Sequence, residues 1–254
     1  MVVNIESIKR VDNKTIDKDY FYGLIKENQP IVFSQFAKDW DAIKKWTPEY
    51  LLDKVGKHQV DVDMCTFGPM HDIKRMEFSE YLNKSLNNEF KSVDENGNKL
   101  RKCKKPYLRN FALFDEFSEF KDDVKNEVVF NTDIHNMVVR GAFIGSPDSA
   151  TDFHKDTGDN VVAVIRGAKY VIMVPPEDEN NINNDKLKEN DVKYNENDHG
   201  VPIEQHPAFS NCKKVYTTVL TAGESIYIPI NWVHYVHNLE FTVSVSCWGK
   251  KMII

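Results

Sequence analysis

The sequence predicts a mainly β protein with flanking helices, its second half forming an antiparallel β-barrel or jelly roll. Helix signals are confined to the region before Leu86, whereas six β-branched or aromatic runs bounded by turn residues crowd the region after Val138. At 254 residues with 41% hydrophobic content, the chain is long enough to bury a core without disulfides.

The elements follow in order. Pro30–Phe33 reads as a short strand after the turn-like Asn28-Gln29. Thr47 can cap a helix, Pro48 suits its first position, Glu49 favours the positive end of its dipole, and Gly56 stops it. His58–Asp63 alternates like a strand, Phe78–Leu86 reads as a helix, and Asp94–Asn98 as a turn. The later strands are Val138–Ile144, Val161–Ile165, Tyr170–Val174, Lys214–Leu220, Ser225–Ile228 and Phe241–Cys247. Arg166-Gly167-Ala168 is read as a hairpin turn, and Thr221–Glu224 as a second. The run from Phe241 is also antiparallel-compatible with the segment Ile228–His237. Residues 177–205 are too poor in large apolar side chains to be core. They read as an inserted loop, either plainly solvated or a substrate lid.

Net charge is −6, from 33 basic and 39 acidic residues, which argues against a dedicated nucleic-acid binder. One compact basic run, Arg101–Lys105, remains as either a solvated charge run or a steering patch for RNA or an acidic peptide. Cys65, Cys103, Cys212 and Cys247 form no metal or disulfide spacing, so a reducing compartment is expected: the cytoplasm, with the nucleus left open. The N-terminus has no signal-like apolar segment and no run is long enough to span a bilayer, so no membrane partner is expected.

The chemistry concentrates in two places. His154 and Asp156 are two apart on an expected strand, so both side chains face the same way. His234 and His237 are three apart, so at most one of them points inward with that pair. Two histidines and one carboxylate make a facial triad suited to iron, with positions left open for cosubstrate and oxygen.

Two segments, TDFHKDTGDNVVAVIRGAKYVIMVPP and ESIYIPINWVHYVHNLEFTVSVSCWG, resemble the JmjC family in its small cupin-8 branch of hydroxylases. PIVFSQFAKDW and KWTPEYL resemble the branch's N-terminal region. The resemblance implies a double-stranded β-helix, the cupin-like barrel. Residues 1–254 would form one catalytic unit: a collar over 1–106 and a core over 107–254. It implies Fe(II) held by His154, Asp156 and His234, the last chosen over His237 because the family's final ligand follows a proline by five residues, as His234 follows Pro229.

The resemblance also implies 2-oxoglutarate and O2 as cosubstrates. Lys169, fifteen residues after His154, would bind the far carboxylate, helped by the hydroxyls of Thr151 and Tyr107, with Asn160 lining the pocket. Ser246 and Trp248 are candidates for the pocket wall; Ser246 stands where some members have asparagine. Oxidative decarboxylation to succinate would be coupled to hydroxylation of an unactivated C–H, with no catalytic side chain beyond the metal ligands. Hydroxylation is favoured over demethylation because the chain carries no finger or reader module and its metal carboxylate is Asp156 rather than Glu. A protein side chain is the expected substrate and a modified tRNA nucleoside the alternative. A cupin-like module that binds metal or a partner without turnover is the reading from another class. A homodimer is left open.

Overall fold

Strands in the computed structural model fall into two sheets rather than one closed ring. Described are residues 3–12, 18–64, 72–90, 105–124, 135–189, 192–193 and 200–251. The N-terminal part comprises β1 (Ile5–Ser7), β2 (Lys9–Val11), α1 (Lys18–Glu27), β3 (Ile31–Phe33), α2 (Asp41–Lys45), α3 (Pro48–Val55), β4 (Gln59–Asp63), β5 (Ile73–Glu77) and α4 (Phe78–Leu86). There follow β6 (Tyr107–Phe111), α5 (Leu113–Glu116), β7 (His135–Gly145), β8 (Ala150–His154), β9 (Asp159–Arg166), β10 (Ala168–Val174) and α6 (Asn184–Glu189). The chain closes with β11 (Val215–Thr221), β12 (Ser225–Ile228), β13 (Val233–Asn238) and β14 (Thr242–Lys251).

The smaller sheet has the order β1-β11-β10-β13-β8, and the larger β2-β3-β12-β9-β14-β7-β6-β4-β5. This is a jelly-roll sandwich with open edges, which refines the expected barrel. Side chains at every second position of facing strands fill the space between the sheets: Val162 and Val164 from β9, Ile226 and Ile228 from β12, Val171 and Met173 from β10. A second core joins the N-terminal helices to the outer side of the larger sheet, through Trp46, Leu51, Phe78 and Tyr81 against Ile144, Ile165 and Val245.

The two expected hairpins are not hairpins. β9 and β10 lie in different sheets, and so do β11 and β12. Gly167 and Gly223 do make tight reversals, at φ +78° and +94°. Turn residues specify that the chain reverses; which strand it then pairs with depends on where apolar faces can be covered. β9 is buried on both faces, and the chain crosses to the opposite sheet to cover one of them. For the same reason β14 pairs with β7 and β9, not with β13.

Local signals in the first half are met closely. Thr47 Oγ1 accepts a hydrogen bond from Tyr50 N at 3.2 Å, and Pro48 opens α3. Gly56 ends α3 in an ordinary right-handed conformation, not the left-handed one common at helix ends. Its glycine identity has a steric cause: a Cβ there would lie 2.3 Å from the Leu52 carbonyl oxygen.

The polar insert does contribute to the core, contrary to expectation. Val192 and Ile203 are buried against Ile172, Val174 and Tyr235, together with Ala208 and Phe209 just beyond the insert. Buried Asp178 accepts from the Lys213 and Lys214 backbone N–H groups at 2.8 and 3.0 Å, tying the start of the insert to the approach to β11. Averaged composition hides a few well-spaced anchors. Asp94–Asn98, Cys65, Cys103 and Arg101–Lys104 lie outside the described residues. Lys105, the last of the basic run, is buried and 3.3 Å from Asp148 Oδ2, so it is not a solvated charge. Among the described residues no helix is long and apolar enough to cross a membrane.

Candidate metal centre and cosubstrate pocket

β8 and β13 are antiparallel neighbours, and their register sets His154 opposite His234. The imidazole centroids are 4.2 Å apart. β8 ends at His154, so Asp156 is not on the strand as expected; the loop into β9 turns its carboxylate back toward the rings. Asp156 Oδ1 lies 3.6 Å from His154 Nε2, and Oδ2 lies 3.7 Å from His234 Nε2. Their ligand atoms all fall within 4.8 Å of one another, a spacing that could hold one metal ion. Both rings are oriented from behind. His154 Nδ1 is 2.6 Å from the Asp152 carbonyl and His234 Nδ1 is 3.0 Å from the Trp232 carbonyl. A carbonyl only accepts, so Nδ1 carries the hydrogen, and each ring when neutral turns its Nε2 lone pair to the centre.

Charge is distributed unequally over the three. Burial lowers the His234 pKa to about 4, reinforced by the positive charge of His154. Burial also opposes charge on His154, but the hydrogen bond and charge of Asp156 outweigh it and raise its pKa above the ordinary imidazole value. At Asp156, burial pushes upward, yet the His154 hydrogen bond, His234 and the Asn160 amide hold the carboxyl at about 2. The Asp156 carboxylate and the His234 imidazole are thus ready as ligands near neutrality.

Behind this cluster a narrow pocket runs between the sheets, reached by Tyr107, Asn160, Lys169, Ser244 and Ser246. Lys169 shares the inward face of β10 with Val171 and Met173. Lys169 is 1% exposed, and among the described residues no acid partners it; it donates to Tyr107 Oη at 2.9 Å and Asn238 Oδ1 at 2.6 Å. Burial lowers its pKa to about 7. Burial also pushes the Tyr107 phenol up, so it stays a neutral O–H. Asn160 Oδ1 and Ser244 Oγ, both buried, have no hydrogen-bond partner among the described residues. An amine without an acid, hydroxyls beside it and unsatisfied polar atoms along the way fit a small dicarboxylate whose other end reaches the metal.

Thr151 lines both this pocket and a wider outer cleft of about 780 Å³, where Phe143, His154 and Trp248 are also shared. Trp248 is partly exposed and walls both spaces, while Ser246 is buried in the inner one. Arg109, Arg140, Asp115, Asp152 and Lys250 rim the cleft. A space of this size accommodates a side chain with part of its backbone.

His237 stands apart from the cluster but is not idle. It is buried, with Nε2 3.5 Å from Asp148 Oδ1 and Nδ1 3.3 Å from Tyr235 Oη. Sequence reasoning overlooked Asn238, which holds Lys169 and donates to Ser149 Oγ at 2.7 Å. Alternation from His234 through Val236 would have found it. It also overlooked Ser244, on the same face of β14 as Ser246 and Trp248, and Arg109, which is ion-paired with Asp63.

A family profile described as a cupin-like domain matches residues 18–251. JmjC domain-containing protein A of Dictyostelium discoideum is 54% identical over 254 residues, all of both chains. The chain belongs to the JmjC-domain family of cupin-like proteins. More distant relatives carry more specific names. Lysine-specific demethylase JMJ32 of Arabidopsis thaliana is 22% identical over 95% of this chain and 81% of its own length. The 2-oxoglutarate and iron-dependent oxygenase JMJD4 of Gallus gallus is 26% identical over 96% of this chain and 60% of its own.

Proposed function

We propose that the protein is an Fe(II)- and 2-oxoglutarate-dependent oxygenase that hydroxylates a protein side chain. The observation that carries this reading is the joining of two sites: the His154, Asp156 and His234 cluster opens directly onto a pocket ending in the buried Lys169 ammonium. In this reading His154, Asp156 and His234 hold iron. Lys169 pairs with the distal carboxylate of 2-oxoglutarate, Tyr107 and Thr151 offer it hydroxyls, and Asn160 lines the path to the metal. When bound, iron and 2-oxoglutarate supply oxidation of an unactivated C–H with loss of CO2 from the cosubstrate. The chain's own part is to orient the ligands, keep Lys169 charged against the carboxylate, and shield the centre from water with Phe143 and Trp248. No side chain is required as nucleophile.

Relatives named as demethylases favour a second reading, removal of a methyl group through hydroxylation of its carbon. Iron-loaded protein should release succinate from 2-oxoglutarate in the presence of a peptide pool, with Asp156→Ala inactive. Mass spectrometry separates the outcomes. A gain of ~16 Da supports hydroxylation and a loss of ~14 Da supports demethylation. Modification only in a tRNA pool would overturn the choice of protein, and no turnover with either pool would leave a metal-binding module without catalysis.

A further inference from the structure

The carboxylate at the centre is braced from the opposite sheet. Asp156 Oδ2 accepts two N–H groups, the Trp248 indole at 3.0 Å and the Asn160 side-chain amide at 2.8 Å. Asn160 and Trp248 are cross-strand partners in the β9–β14 register, so the two donors are delivered side by side. Among the described residues, Oδ1 receives no such N–H donor and faces His154 Nε2. A carboxylate oxygen has two lone-pair directions; two donors occupy both on Oδ2, and Oδ1 is left free to ligate.

Trp248 is also placed unlike a packing tryptophan. It is partly exposed, tilts on Phe143 with centroids 5.8 Å apart, and stands where the inner pocket meets the outer cleft. We infer that Trp248 is a positioning residue: its indole N–H, together with the Asn160 amide, holds Asp156 as a one-oxygen metal ligand and so keeps a coordination position open. Bidentate binding through both oxygens would occupy a position that cosubstrate or oxygen needs. The wall residue on β14 thereby sets the geometry of a ligand presented from the end of β8.

This inference rests on the metal reading of the cluster, not on the identity of the substrate. Its test is Co(II) titration of the native protein and Trp248→Phe, followed by visible d–d absorption, with thermal unfolding of both metal-free proteins as the folding control. Trp248→Phe keeps an aromatic ring in the wall and removes the N–H donor, at the cost of a smaller side chain. It should bind Co(II) roughly tenfold or more weakly, in line with the loss of an outer hydrogen bond to a ligand. Its absorption band should also change as the carboxylate rotates. Equal affinity with superimposable spectra would overturn the assignment.

Should Trp248→Phe fail to fold, the native protein labelled with 15N-tryptophan decides. One of its four indole N–H signals should move on adding Zn(II); no movement would overturn the assignment. Native protein that binds no metal would undo this inference and the oxygenase reading together. Native protein that binds cobalt but never turns over 2-oxoglutarate would undo the oxygenase reading alone, because the titration decides the role of Trp248 separately.

Discussion

Lys169 carries the sharpest pH signature of any single residue in the pocket. With its pKa lowered by burial to about 7, it is mostly neutral at pH 8 in the absence of a carboxylate. A bound dicarboxylate favours the charged form and raises that pKa again. Binding of 2-oxoglutarate at pH 8 should therefore take up close to one proton, seen calorimetrically as a heat that varies with buffer ionisation enthalpy. A buffer-independent heat would remove Lys169 from the carboxylate. Lys169→Ala should lose 2-oxoglutarate binding while retaining metal. His234 and His237 make a second residue-scale contrast. His234→Ala should lose metal. His237→Ala should keep it and cost roughly 1–3 kcal/mol of stability, because Asp148 and the Tyr235 hydroxyl lose a buried partner. Chemical denaturation with metal titration distinguishes the two.

At the scale of elements, the sheet-switching turns determine where the pocket residues arrive. Gly167 at φ +78° carries the chain from β9 in the larger sheet to β10 in the smaller, two residues before Lys169. A Cβ at this position would come within 2.2 Å of the Phe241 carbonyl oxygen, in a conformation that L side chains rarely adopt. Gly167→Ala should destabilise the fold by about 1–3 kcal/mol and weaken 2-oxoglutarate binding more than metal binding. Unfolding midpoints with parallel calorimetry would check both, and an unchanged midpoint would mean that the turn relaxes freely. The insert, in contrast, contributes at a few anchors only: Asp178, Val192 and Ile203.

For the whole molecule, a metal held at this centre would fasten the two sheets together. His154 and His234 come from the smaller sheet, while the loop bearing Asp156 leads into the larger, where Trp248 and Asn160 hold it. A ligand at a hundredfold excess over its Kd stabilises by about 2.7 kcal/mol. For a chain of this size that is a rise of about 5–10 °C in Tm. Mn(II) should produce such a shift in native protein and in His237→Ala, but not in His154→Ala. The shift should also fade as pH falls. His154, whose pKa lies above the ordinary imidazole value, must lose its proton to ligate, whereas Asp156 and His234 are deprotonated down to about pH 2 and 4. A Tm shift by Mn(II) that is equal at pH 5 and pH 8 would contradict this assignment of charge.

Much of this molecule is legible along the chain because it depends on near neighbours. The Thr47–Pro48 helix start, the α4 bounds, the alternating strands and the His-x-Asp spacing are each set by side chains a few residues apart. Strand partners were not legible: Gly167 and Gly223 announce reversals, yet the chain crosses between sheets at both. The candidate site divides along the same line. The sequence by itself determined the β-rich class, the residue types of the triad and the candidacy of Lys169. Tertiary structure decided that Asp156 reaches back from a loop, that Asn238 holds Lys169, that His237 braces Asp148, and that Trp248 and Asn160 grip one oxygen of the carboxylate. The physical reason is range. Turn and cap chemistry acts within a few residues, whereas burial, strand register and the pKa shifts they cause arise between segments some 80 residues apart, and become fixed only when two sheets close over one core.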